Sequence, residues 1–184
     1  GRSAGGAPGA PGGGGSGAGG AVGELEPAPG ALRASEAALH GRVRAICHAG
    51  RGQLVAGAPA AAIEAKSLVV ECADVAAAGG RAWVLCVLPC DRRLYMRRLS
   101  LALAAQTQHG DVALRPVGLA APKDAEVVVG CPMGRVPPVG LKPPLPTLVD
   151  AAFFAAGAPR RIVAGAAHPE MRLLLAPEDL LVHG

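Results

Sequence analysis

Aromatic residues are nearly absent: one Trp, one Tyr and two Phe among 184 residues. A surface that holds single-stranded nucleic acid by stacking its bases needs rows of such rings, so that mode is excluded. No apolar run approaches the ~18 residues that a membrane-crossing helix requires. No membrane partner is expected. No CxxC spacing occurs among Cys47, Cys72, Cys86, Cys90 and Cys131, and Cys47-His48 with Cys90 makes no zinc pattern, so no metal is expected. The cysteine count is odd, and Cys72, Cys86 and Cys131 stand in apolar or strand-like context. Buried reduced thiols and a reducing compartment are expected, the cytoplasm first and a plastid or mitochondrion as the alternative. A strong charge of one sign is missing too. The net charge of +4 and pI near 9.0 are compatible with an RNA partner without pointing to one.

Glycine and proline are what the chain has instead, 27 and 17 of them. They fall in two places with different meanings. Residues 1–30 are a Gly/Ala/Pro-rich segment that cannot bury enough apolar surface to offset its ordering entropy, and we expect a disordered linker there. The opening residue is Gly rather than Met, which suggests a fragment or a processed product. The second place is 126–150, EVVVGCPMGRVPPVGLKPPLPTLVD, where Gly130, Gly134 and Gly140 alternate with six prolines. Proline fixes φ and removes a donor, while glycine permits close backbone approach. Together they make a stiff loop with N–H groups exposed at defined points. Such a loop either reads a ligand by its backbone or merely connects two elements.

The remaining pattern predicts α+β with a mixed sheet. A short helix is expected over 32–40, with Ser35 or the preceding turn as cap, and a strand over 43–47. Strands are expected at 67–72 and 83–88, joined as a hairpin through a Gly79-Gly80 turn. A helix follows over 92–105, capped near Asp91, with Tyr95, Leu99, Ala102 and Leu103 on its inner face. Arg92, Arg93, Arg97 and Arg98 then face outward, as a solvated face or a contact for RNA phosphates. A strand at 112–114, a helix at 122–129 stopped by Gly130, a strand at 147–149 and a helical turn over 151–156 come next. Strands at 162–164 and 171–175 and a helix from Pro177 complete the domain, 31–184.

Lys66 stands out because it opens an apolar strand, Lys66-Ser67-Leu68-Val69-Val70. A lysine is costly to bury unless paired or used, although from position alone a surface lysine at a strand end is the better reading. Three segments in order carry a resemblance: the Lys66–Val70 strand, Gly134-Arg135-Val136-Pro137-Pro138 as a GxxxP loop, and Leu145-Pro146-Thr147-Leu148-Val149-Asp150 after it. A DRRL helix start, Asp91 to Leu94, lies between. Together they resemble the YbaK/ProX family of aminoacyl-tRNA deacylases, related to the editing insertion of bacterial prolyl-tRNA synthetases, most clearly over 60–182.

The resemblance implies a curved mixed sheet closing into a barrel-like core with flanking helices. It implies hydrolysis of the ester of a mischarged tRNA, of the Cys-tRNA(Pro) or Ala-tRNA(Pro) type, without metal or organic cofactor and without a covalent enzyme nucleophile. The partners implied are the acceptor end of aminoacyl-tRNA and a prolyl-tRNA synthetase. Lys66 would be the central polar group of the pocket, stabilising the oxyanion. Substrate contacts would come from Ser67, Gly130, Gly134, Val136, Pro138 and Gly165; His168 is a further candidate, although a surface turn histidine before proline is the commoner case. Asp150 would cap the next turn or orient a loop amide, and Cys131 would be a packed residue. Where the family carries a second glycine-rich turn, this chain has Ala164-Gly165-Ala166-Ala167-His168-Pro169-Glu170, with Arg172 near the usual place of an acid. A non-catalytic relative that binds tRNA or a protein is the alternative, and a small-molecule pocket protein with no RNA role is a third.

Overall fold

The computed structural model describes residues 32–75, 80–107, 113–158 and 160–182. The linker expected over 1–30, Gly79 and Val112 lie outside them. The elements in order are α1 (Ala34–His48), β1 (Gln53–Val55), β2 (Ile63–Asp74), β3 (Gly80–Pro89), α2 (Met96–Thr107), β4 (Leu114–Leu119), α3 (Pro122–Val129), β5 (Thr147–Val149), a 3-10 turn (Ala151–Phe154), β6 (Ile162–Gly165), β7 (Arg172–Leu175) and α4 (Asp179–Val182). Among these residues no helix is long and apolar enough to cross a membrane.

The seven strands form one mixed sheet in the order β1-β7-β6-β2-β3-β5, with β4 added on β2. The path has two ends, β1 and β5, so the expected closure into a barrel is corrected to an open sheet. The long strand β2 joins its two halves. One edge of β2 pairs with β3 from Ala65↔Pro89 to Asp74↔Gly80. The other edge pairs in parallel with β6 at Ile63↔Ile162 and Glu64↔Val163, then with β4 from Val70↔Leu119 onward. Ala120 N–H also donates to Val69 O at 2.9 Å. Over residues 65–68 this second edge has no strand partner among the described residues. β6 and β4 diverge there, and the sheet forks.

Period-two alternation divides the core into two layers. Ala65, Val69, Leu85 and Val87 face one cluster with α1, α3, the Gly/Pro loop and Leu173, Leu175 and Leu180. Val70, Cys72, Val84, Cys86 and Leu88 face a second cluster with Leu99 and Leu103 of α2. Each fully buried leucine removes enough apolar surface to contribute about 1.5–3 kcal/mol.

Several boundaries differ from expectation, each for a physical reason. Residues 43–47 continue α1 instead of forming a strand. Glu36, Leu39 and Val43 are buried along one face of a helix, and that tertiary face outweighs the β-branched residues in the segment. Ser35 is inside α1, and Arg33 occupies its N-cap without a side-chain cap. α2 begins at Met96 rather than Arg92, and Tyr95 is 60% exposed instead of facing inward. Leu94 and Met96 pack against the second core in its place. β4 runs Leu114–Leu119 despite Pro116 and Gly118, because an edge strand with a bulge opposite Glu71 and Cys72 tolerates both. β1 had no signal beyond Leu54-Val55. α3 and β5 keep their expected bounds.

Candidate functional site at the fork of the sheet

Lys66 and Ser67 lie where β2 is paired with β3 on one edge and, among the described residues, with no strand on the other. Continuing the β2–β6 register places Lys66 level with Gly165, just past the last paired residues. Lys66 is half-buried and opposes Leu88 on β3; its Nζ donates to the Cys90 carbonyl at 3.0 Å, at the turn that leaves β3. Ser67 opposes Val87, and its buried Oγ has no hydrogen-bond partner among the described residues. Alternation sends these neighbours to opposite faces of β2, Lys66 with Leu68 and Val70, Ser67 with Ala65 and Val69. They share the open edge, not a face.

The Gly/Pro loop closes one side of the fork. Gly130 ends α3 in the left-handed conformation, φ 77°, its N–H bonded to Glu126 O. Gly134 has φ 85° and is exposed, with open space around it, a geometry that a residue with a Cβ adopts only under strain. The chain then dives inward: Val136, Pro137, Pro138 and Val139 are all buried. Gly165 of β6 meets this loop so closely that a Cβ there would lie 2.5 Å from the Arg135 carbonyl carbon and oxygen and 2.6 Å from Val136 O. Ala167 N–H donates to Arg135 O at 2.9 Å, and Ala167 itself has φ 51°. Positive φ in alanine costs roughly 1–2 kcal/mol, which the surrounding contacts offset. The loop therefore turns its carbonyls to the β6–β7 turn. Pro137 and Pro138 have no amide hydrogen, so any backbone donor for a ligand comes from the loop's other residues.

Helix α1 holds the loop and the turn. Buried Glu36, 2% exposed, pairs with Arg135 Nη1 at 3.0 Å. Arg42 Nε donates to Gly140 O at 2.7 Å, and His40 Nδ1 donates to Ala166 O at 2.7 Å. At the loop's start, Glu126 accepts from Met133 N–H at 3.4 Å and lies 3.8 Å from Arg33. The one available signal was a charged residue, Glu36, in phase with Leu39 and Val43.

His168 sits at the turn after β6. Its Nδ1 accepts from the amides of Glu170 and Met171 at 3.1 and 3.2 Å, and its ring lies 4.9 Å from that of His40. Cys131, buried in the loop, has its thiol pushed up to about 12, first by desolvation and then by Glu36 and Glu126. A thiol so protonated is a poor nucleophile at neutral pH. Among the described residues no group of three or more His, Cys, Asp or Glu side chains is disposed to hold a metal ion.

Asp150 belongs elsewhere. Its Oδ1 accepts from Ala152 N–H at 2.8 Å and so caps the 3-10 turn, and it lies 3.6 Å from Arg92 Nη1. Both residues line a separate cavity of about 750 Å³ between β3, β5 and α2, floored by Cys86, Leu88, Leu99 and Leu148. Arg92, Arg93, Arg97 and Arg98 are all exposed around α2.

Comparison with known proteins identifies the family and the fold. The model of the aminoacyl-tRNA editing domain matches residues 53–182. A search of curated proteins found no match. The fold is shared with solved structures. One is described as a candidate trans-editing enzyme for prolyl tRNA synthetase: 23% identity, TM-score 0.51, covering 82% of this chain and 92% of that one. A hypothetical protein gives 24% identity and a TM-score of 0.56 over 77% of this chain and 92% of that one. A scaffold used for computational epitope grafting gives 21% identity and a TM-score of 0.53 over 83% and 92%.

Proposed function

Since this chain belongs to the aminoacyl-tRNA editing domain family, we propose that it hydrolyses the ester joining a mischarged amino acid to tRNA. The substrates we infer are of the Cys-tRNA(Pro) or Ala-tRNA(Pro) type, met in trans or as an appended domain beside a prolyl-tRNA synthetase. The observation that carries this reading is the docking of the GxxxP loop onto Gly165 and Ala167, at the level where β6 parts from the edge of β2 beside Lys66 and Ser67.

In this reading the ester end of the tRNA enters the fork. Gly134 lets the chain approach closely, the Gly134 and Val136 amides meet the carbonyl or the terminal ribose, and Val136 and Pro138 set the loop's shape. Gly130 fixes where the loop leaves α3. Lys66 exchanges the Cys90 carbonyl for the developing oxyanion or a phosphate, where its charge is strongest in the transition state. The unsatisfied Ser67 Oγ gains a partner in the substrate. Gly165 and His168 form the facing wall. Water, or a hydroxyl of the substrate, attacks; Cys131 does not. Five free cysteines, three of them buried, fit a reducing compartment, and we place the activity in the cytoplasm, with a plastid or mitochondrion as the alternative.

A second reading, a relative that binds tRNA or a protein without turnover, is favoured by one feature. Lys66 Nζ is engaged by a backbone carbonyl rather than free in the fork. Deacylation of a panel of mischarged tRNAs, wild type beside Lys66→Ala, separates the two. Turnover that falls about 100-fold or more in the variant is the expected result, the size of a lost oxyanion donor. Salt-dependent tRNA binding with no turnover on any substrate would leave only the second reading.

A further inference from the structure

Two imidazoles meet at the mouth of the loop and turn in opposite tautomers. The Ala166 carbonyl can only accept, so the proton of His40 sits on Nδ1 and its Nε2 carries a free lone pair. The amides of Glu170 and Met171 can only donate, so His168 Nδ1 carries the lone pair and the proton is on Nε2. The rings are 4.9 Å apart, tilted by 40°, and both side chains are half-buried. One imidazole thus presents a donor at Nε2, and its neighbour presents a lone pair at Nε2.

The carboxylates that tie the loop to its neighbours are engaged, whereas Glu170 and His48 are exposed side chains in the turn and at the end of α1. Glu36 is paired with Arg135, and Glu126 holds Met133 N–H and Arg33. Cys131 is held protonated by burial. Lys66, as an ammonium, has no lone pair.

We propose that His40 is the general base of the hydrolysis, contributed by a helix that precedes the matched residues 53–182. The proposal rests on the editing reading. His40 Nε2 removes a proton from the attacking water as its oxygen bonds to the ester carbonyl carbon. The resulting tetrahedral oxyanion collapses, the bond from carbon to the ribose oxygen breaks, and His40 returns its proton to that oxygen. The products are the tRNA hydroxyl and the amino-acid carboxylic acid, which ionises in solution. His168 Nε2–H donates to the substrate throughout and does not change its protonation.

The test is His40→Asn in the full chain, with mischarged tRNA as substrate. The asparagine Nδ2 reproduces the Nδ1–H bond to Ala166 O but has no basic nitrogen. The expected result is a fall in kcat of about 100-fold or more, the usual contribution of a general base, with KM and melting temperature unchanged. His40→Ala is expected to regain part of its kcat when imidazole is added. ¹⁵N spectra of the wild type are expected to show His40 as the Nδ1–H and His168 as the Nε2–H tautomer. His40→Asn turning over within threefold of a working wild type overturns the base and leaves editing intact, as would the opposite tautomer at His40. A wild type with no turnover on any aminoacyl-tRNA overturns both readings.

Discussion

The two faces of the β2–β3 hairpin are built by opposite means. On one, the Gly/Pro loop and the β6–β7 turn are tied to α1 by Glu36–Arg135, Arg42–Gly140 O and His40–Ala166 O, and to each other through Ala167 N–H and Arg135 O. On the other, α2 rests by Leu99 and Leu103 on an apolar floor, its arginines outside and a cavity of about 750 Å³ beside it. Directional polar ties fix backbone positions to within tenths of an ångström; apolar contact fixes only proximity. Chemistry that depends on the placement of backbone amides belongs on the first face, and a surface that must adapt to a large partner suits the second.

That contrast can be broken at several points. Leu99→Ala should cost about 2–4 kcal/mol of stability by opening more space beside an existing cavity, read as a lower midpoint in urea. Turnover per folded molecule should stay the same, and a loss of turnover would mean that the α2 packing also positions Lys66, which shares this face with Leu68 and Val70. Gly165→Ala should cost about 1–3 kcal/mol, since backbone rather than a flexible side chain occupies the space its Cβ needs. Here turnover should fall as well, by tenfold or more, because the displaced atoms are those of the loop; unchanged turnover would detach the loop from the chemistry.

Glu36→Gln sharpens the comparison. It removes a buried charge facing Arg135, whose side chain is 38% exposed and so partly solvated without its partner. A loss of about 1–2 kcal/mol is expected in thermal unfolding, together with a raised KM as the loop loosens. The smallest effect is expected of Cys131→Ala: about 1 kcal/mol or less of lost packing and turnover within twofold of wild type. With its thiol pushed up to about 12, native Cys131 should also resist iodoacetamide while exposed Cys90 is labelled first. Rapid labelling of Cys131 would show that the loop opens.

The helix over 122–129 and its Gly130 stop were legible because Pro122, Asp124 and Gly130 are local signals that act through their own backbone and neighbours. The strand at 147–149 and the hairpin were legible for the same reason. The order of Lys66, the GxxxP loop and the segment to Asp150 was enough to indicate the family, because those residues answer to a local backbone requirement. α1 was misread at 43–47, β4 was hidden by Pro116 and Gly118, and the barrel did not close. Each of these depends on what the segment meets at a distance: α1's buried face, the β2 edge that accepts a bulged strand, the strand path that ends at β1 and β5.

The site divides along the same line. The sequence determined by itself which residues have unusual chemistry or backbone freedom, since a lysine opening an apolar strand and glycines among prolines are properties of the chain. Only the tertiary structure decided that the second edge of β2 opens beside Lys66 and Ser67, that Asp150 joins the α2 cavity, and that His40, 126 residues before Ala166, shares its hydrogen bond. Hydrogen bonds and close contacts between residues so far apart in sequence follow from how the sheet forks, and that depends on all of its strands at once.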